Sequence, residues 1–222
     1  MIEAEQVRTS YKALAYAHIK KKIVHGDLRP GDIIKEKDFI AALGISRTPV
    51  REALSQLSDE GMIDIMPSRG MVVSHISISD VLAMYDTRQL IEPHIARQAA
   101  GKASAETLRL FREQFSNTAP ISGPEKEEDM DSDFHLYLAA CIGNRYLLRL
   151  EEMLMSQSER IRVLSSHDRA DRESEARQEH LCIIDALLEN DGERAAAAAL
   201  LHLKKSIEGY RSIIAGSSLF SI

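Results

Sequence analysis

Asp131 and His135 stand four residues apart in a stretch of helical character, so their side chains leave the same face and can reach one ion. His180 and His202 fall on the second and third helical stretches beyond. Three imidazoles and a carboxylate form a donor set for a borderline divalent ion, zinc first, with nickel and manganese as alternatives. Such sites are built where facing helices of a bundle converge, with water in the remaining positions. Taken singly, each of these histidines is better accounted for as a satisfied core or surface residue. Asp133 is the rival carboxylate, but its i,i+2 relation to His135 turns it away round the helix.

A different chemistry sits in residues 46–57, Ser-Arg-Thr-Pro-Val-Arg-Glu-Ala-Leu-Ser-Gln-Leu. Ser46 is an N-cap candidate, Pro49 is tolerated in a first turn, and Val50, Leu54 and Leu57 form one apolar stripe. Arg47, Thr48 and Arg51 then stand at the exposed leading end, where peptide N–H groups and cationic side chains meet phosphates and base edges in a major groove. The plain alternative is a surface helix with ordinary arginines.

These residues need a mainly α scaffold. The 222 residues are 44% hydrophobic and only 5% aromatic, without tryptophan, and rich in helix-forming stretches. Tyr11 to His25 predicts a first helix ended by Gly26, and residues 28–32 a turn. Lys35 to Leu43 predicts a second helix closed by Gly44, so that residues 46–57 complete a helix-turn-helix. Met62 to Met66 alternates like a strand, Pro67 to Gly70 makes a turn, and Met71 to Val73 returns as a β-hairpin wing. Arg69 at its tip is placed for a phosphate or the minor groove, and Gly70 for close backbone approach; both also serve simply to build the turn. Residues 74–78 link to a long helix capped by Ser79 or Asp80, running to about Ala100 and kinked at Pro93. Helices follow at about 104–117, 125–142, 145–165, 170–190 and 192–214, with a loop from Pro120 to Pro124. The domains are therefore 1–75 and 76–222. Arg88 and Glu92, four apart, are either an exposed ion pair or a buried arginine that awaits an acid.

The net charge of −6 divides unevenly: residues 1–75 carry 11 Lys+Arg against 10 Asp+Glu, and residues 76–222 carry 17 against 24. A near-neutral first domain can still present a basic face to DNA. Cys141 and Cys182 fit buried thiols in a reducing cytoplasm rather than a disulfide framework. With no signal peptide and no apolar run long enough to span a bilayer, the expected location is cytoplasmic, away from membranes.

The first third resembles the GntR family of bacterial winged-helix regulators, through residues 26–31 (Gly-Asp-Leu-Arg-Pro-Gly), 43–54 (Leu-Gly-Ile-Ser-Arg-Thr-Pro-Val-Arg-Glu-Ala-Leu) and 67–70 (Pro-Ser-Arg-Gly). The resemblance implies DNA contacts from Arg47, Thr48 and Arg51, with Lys37, Arg69 and Gly70 as further contacts. Phe39-Ile40 stands where the family has Leu-Ala, which alters the packing of the second helix beside Lys37. From about residue 79 to 214, Asp131-Ser132-Asp133-Phe134-His135-Leu136, Glu179-His180 and His202 resemble the FCD ligand-binding domain of the FadR-type branch. That resemblance implies an all-α antiparallel bundle, a central metal on Asp131, His135, His180 and His202, and a small carboxylate effector held by Arg88. His18, His25, His75, His94 and His167 match no motif position and are read as structural or surface residues.

The expected function is a transcriptional regulator, a repressor by family habit, binding double-stranded operator DNA as a homodimer under the control of the effector. Two alternatives stay open: a metal-dependent enzyme acting on a small organic acid, and a regulator whose metal is purely structural. Neither a nucleophile nor a general-base motif accompanies the donor set.

Overall fold

The computed structural model describes residues 2–117, 124–164 and 170–214, which form two units, Met1–Ile76 and Ser77–Ile222. In the first, α1 (Ile2–Val24), α2 (Glu36–Leu43) and α3 (Arg47–Asp59) pack around Ala15, Ile19, Ile23, Val50, Leu54 and Leu57, all essentially buried. The stripe at 50, 54 and 57 thus seals the inner face of α3, which leaves its outer face to solvent. Ser46 occupies the N-cap position in extended backbone, but its hydroxyl makes no capping bond. Gly44 closes α2 in the left-handed conformation, φ +64°, a geometry that costs other L-residues energy and that turns the chain into α3. Phe39 is buried beside His18, whose ring meets it edge-on, so the aromatic residue is absorbed by the core without displacing Lys37 from the surface.

The wing is a three-stranded antiparallel sheet in the order β1-β3-β2, with β1 (Ile33–Ile34), β2 (Ile63–Met66) and β3 (Gly70–Val73). Met66 pairs with Gly70 across the three-residue loop 67–69, and Gly70 takes φ +77° where the returning strand begins. The two-residue strand β1, which pairs Ile33 with Val72, has no expectation in the sequence, because two residues are too few to show alternation.

The second unit is built from α4 (Ile78–Ala99), α5 (Ala105–Ser116), α6 (Pro124–Cys141), α7 (Arg145–Leu164), α8 (Ala170–Leu188) and α9 (Gly192–Ile214). Ser77, rather than Ser79 or Asp80, caps α4: its hydroxyl accepts from the Asp80 N–H while the Asp80 carboxylate accepts from the Ser77 N–H. The helix continues through Pro93 as one element. Helix α4 packs on α9, α6 and α7, α8 packs on α9 and α5, and α6 on α7. The core includes Ile95, Ala99, Phe115, Phe134, Leu138, Ile183, Ile184, Ala195 and Ala199. Cys141 is half-buried and Cys182 exposed, so the second thiol is not the buried residue its apolar neighbours imply. The expected 120–124 loop lies outside the described residues apart from Pro124, which opens α6, and His167 lies outside them as well. No helix among the described residues is long and apolar enough to cross a membrane.

Candidate metal centre and DNA-binding face

On α4, Val81, Tyr85, Arg88, Glu92, Ile95 and Ala99 recur every three or four residues and are all buried, so the apolar stripe carries an arginine and a glutamate into the bundle. Helix α6 brings Asp131 and His135 to the same interior, α7 brings Glu151, Ser158 and Arg162, and α8 and α9 bring His180 and His202. One potential ligand atom from each of Asp131, His135, His180 and His202 lies within 4.8 Å of the others. Nε2 of His135 is 3.2 Å from Nε2 of His180, which is 3.2 Å from Oδ1 of Asp131. Asp133, the rival carboxylate, is exposed.

These contacts fit a shared cation. Donors held roughly 2.0–2.1 Å from a zinc-like ion stand roughly 2.8–3.4 Å from one another at the edges of an octahedron or tetrahedron. Two neutral imidazoles this close gain at most one hydrogen bond. The orientation of two rings is set from behind: Nδ1 of His135 lies 3.0 Å from Glu92 Oε2, and Nδ1 of His202 lies 2.8 Å from Glu179 Oε2. A carboxylate on Nδ1 fixes the tautomer that leaves the Nε2 lone pair facing inward. Glu179 is gripped in turn by Arg172, with Nη1 to Oε1 at 2.8 Å and Nη2 to Oε2 at 2.7 Å. The His180 ring stacks on Phe115 at 4.5 Å between centroids.

The protonation states suit coordination. Burial, followed by His180, pushes His202 down to about 3, and burial also lowers His180 against the pull of Asp131. Burial raises Asp131, but Arg162 and the neighbouring His180 outweigh it and hold the carboxyl well below its ordinary range. Neutral imidazoles and an ionised carboxylate are the forms a metal ion needs.

Around this centre lies an ionic network of which local sequence spacing reveals only the Arg88–Glu92 pair. Arg88 is 2% exposed, which removes the exposed-pair alternative. Its Nε pairs with Glu92, Nη1 donates to Ser158 Oγ at 2.9 Å, and the guanidinium carbon lies 5.1 Å from the centre of the Tyr85 ring. Burial raises the Glu92 carboxyl, but Arg88 and then His135 override it and bring it to about 2. Arg162 pairs with Asp131 Oδ2 and donates to Ser132 Oγ at 3.1 Å. Glu151 is fully buried, and its carboxyl is pushed well above the usual range, by burial first and by Glu92 next. The i, i+7, i+11 spacing of Glu151, Ser158 and Arg162 was the available signal for one shared face, and Glu179 was visible only as the neighbour of His180.

In the first unit, Arg47 and Arg51 are exposed on α3, with Thr48 beside them, Lys37 exposed on α2, and Arg69 and Gly70 exposed at the hairpin. Glu36, at the start of α2, draws both arginines: Arg51 Nε is 2.8 Å from Oε1 and Arg47 Nε 3.6 Å from Oε2. One acid thus partly neutralises the leading end of α3.

Residues 12–73 match the family of bacterial regulatory proteins called gntR, and residues 83–205 match the FCD domain. Over 202 residues the chain is 32% identical to the HTH-type transcriptional repressor RspR of Escherichia coli K12, covering 89% of this chain and 88% of that one. The chain belongs to the GntR family. Within it, this regulator is also 29% identical to the Nta operon transcriptional regulator of Aminobacter aminovorans, over 85% of the chain and 89% of the relative. Two solved structures share the GntR fold: E. coli McbR/YncC, at a TM-score of 0.78 and 18% identity over 91% of this chain and 98% of that one, and a GntR regulator from Rhodococcus sp. RHA1, at 0.72 and 22% over 94% and 99%. This GntR protein is a DNA-binding transcriptional regulator with an FCD domain.

Proposed function

We propose that this GntR protein is a repressor whose affinity for operator DNA is set by a small carboxylate effector bound beside a divalent metal, zinc before nickel or manganese. The observation that carries the reading is the convergence of Asp131, His135, His180 and His202 with two buried or half-buried guanidiniums, Arg88 and Arg162, alongside. Asp131, His135, His180 and His202 are the ligands, and when bound the ion supplies a Lewis-acidic seat for a carboxylate oxygen. Arg88 is the effector clamp of this reading, with Arg162 as a second cation. Glu92 and Ser158 already hold two of the Arg88 nitrogens, so the effector meets a guanidinium fixed in advance rather than a free arm.

Lys37, Arg47, Thr48, Arg51, Arg69 and Gly70 form the DNA face of this reading. The protein acts as a homodimer, since a pair of recognition helices matches a two-fold operator. The effector shifts operator affinity only as far as it prefers one arrangement of the dimer. A relative named as a repressor supports the sign. The test is to select operator fragments with the purified zinc-loaded protein and titrate the complex with small carboxylic acids at fixed salt. An acid that releases the operator from wild type, with the release lost on chelation, is the expected result; operator binding indifferent to every acid and to chelation rejects the effector reading.

A further inference from the structure

Glu151 is the one fully buried acid in the metal-binding unit, among the described residues, to which the ionic network gives no partner. It is 0% exposed, and neither carboxyl oxygen has a hydrogen bond. Leaving a buried polar group unsatisfied costs about 1–3 kcal/mol, so a side chain with no task is poorly tolerated there. Its neighbours are already committed. Arg88 binds Glu92 and Ser158, and the other Glu92 oxygen lies 3.0 Å from His135 Nδ1. A Glu151 oxygen nevertheless lies within 4.8 Å of ligand atoms of Glu92 and His135, at the edge of the metal centre.

We infer that Glu151 is the specificity residue of the effector site and selects a hydroxy acid, whose hydroxyl group supplies the hydrogen bond this carboxyl lacks while its carboxylate meets the cations. The inference rests on the effector reading above. A hydroxyl both donates and accepts, so it satisfies Glu151 whether that group is ionised or neutral. An ammonium group only donates. It would also enter a site that already holds Arg88 and Arg162. Glu92 and Asp131 offer no compensation, because each is already paired with one of those arginines. A second metal-ligating cluster, of Glu92, His135 and Glu151, is disfavoured by the same Arg88, which already fills the cationic position on Glu92.

The test uses the full zinc-loaded chain and matched acids: lactate against propionate, malate against succinate, and 3-hydroxybutyrate against butyrate, with alanine and aspartate as the amino arm. Affinities are read by calorimetry for wild type, Glu151→Met and Glu151→Gln. Methionine keeps the length without hydrogen bonding, whereas glutamine still donates and accepts. In wild type, at least one hydroxy acid is expected to bind about 10-fold or more tightly than its deoxy partner, since a site built to hydrogen-bond a hydroxyl rejects the analogue lacking it. Glu151→Met brings the ratio to about one with the deoxy acid and the zinc content unchanged, and melts no lower than wild type; Glu151→Gln keeps a preference. A hydroxyl preference that survives in Glu151→Met, equal binding of the paired acids to wild type, tighter binding of the amino acids, or loss of folding in Glu151→Met overturns the inference and leaves the effector reading standing. An absence of any carboxylate binding removes both.

Discussion

At the scale of single residues, the exposed arginines and the buried one obey different rules. Arg51→Ala is expected to weaken specific operator binding by roughly 1–3 kcal/mol, the worth of a good base contact, and to leave folding intact because the side chain stands 62% exposed. Glu36→Gln acts in the opposite direction on non-specific DNA: with the acid gone, Arg47 and Arg51 are both available to phosphates, so binding tightens and its salt dependence steepens. Anisotropy titrations on operator and scrambled duplexes at several salt concentrations read both effects; unchanged affinity in folded Arg51→Ala takes that residue off the DNA face. Arg88 cannot be removed so cleanly. Its loss leaves Glu92 buried with only His135, and breaking a buried pair costs about 3–5 kcal/mol. Arg88→Met is therefore expected to lower the melting temperature and to loosen metal through the Glu92–His135 contact, while the double replacement Arg88→Met/Glu92→Leu recovers stability without recovering the effector response. Denaturant melts of the three proteins check this, and a single variant as stable as wild type contradicts it.

Among the elements, a tight packing constraint lies where the start of α9 meets the end of α4. A Cβ on Gly192 would sit 2.8 Å from the Arg97 carbonyl oxygen, a backbone atom that cannot swing aside. Gly192→Ala is thus expected to cost about 1–3 kcal/mol as an overpacking defect, despite the higher helix propensity of alanine. Chemical denaturation measures the sign directly, and a stabilised variant would show that the two helices can part without loss. The candidate metal ligands spread over α6, α8 and α9, so on the proposed reading His135→Ala, His180→Ala and His202→Ala are each expected to lose most of about one bound divalent ion per chain. Elemental analysis after gel filtration gives the answer; full occupancy in all three would dismiss the ligand assignment.

For the whole molecule, two cores with no shared residues predict two responses to metal. The hydrophobic core of Met1–Ile76 contains none of the four candidate ligands, whereas Ser77–Ile222 contains them all. A ligand that binds only the folded state at about 1,000 times its Kd adds about 4.1 kcal/mol, so chelation should deepen amide exchange in α6, α8 and α9 and leave α1 to α3 unaltered. Exchange mass spectrometry with and without chelator tests it, and equal loosening of both units would refute the assignment of the metal to the second.

Much was legible in the chain itself. Helical periods placed α2 to α9 to within a few residues, since each period records which face must leave water, a local property of the sequence. For the candidate ligands, spacing joined only Asp131 to His135, one turn apart, and the resemblance to the FCD domain added His180 and His202; the fold brings one atom of each within 4.8 Å of the others. What the tertiary structure alone decided is who answers whom across helices. Arg88 meets Ser158, Arg162 meets Asp131 and Glu179 meets His202, over separations of 23 to 70 residues, while Glu151 has no hydrogen-bond partner among the described residues. Periodicity selects the face that turns inward; only the packing of helix against helix sets which charges then share a low-dielectric interior, and therefore which are paired and which still await a partner.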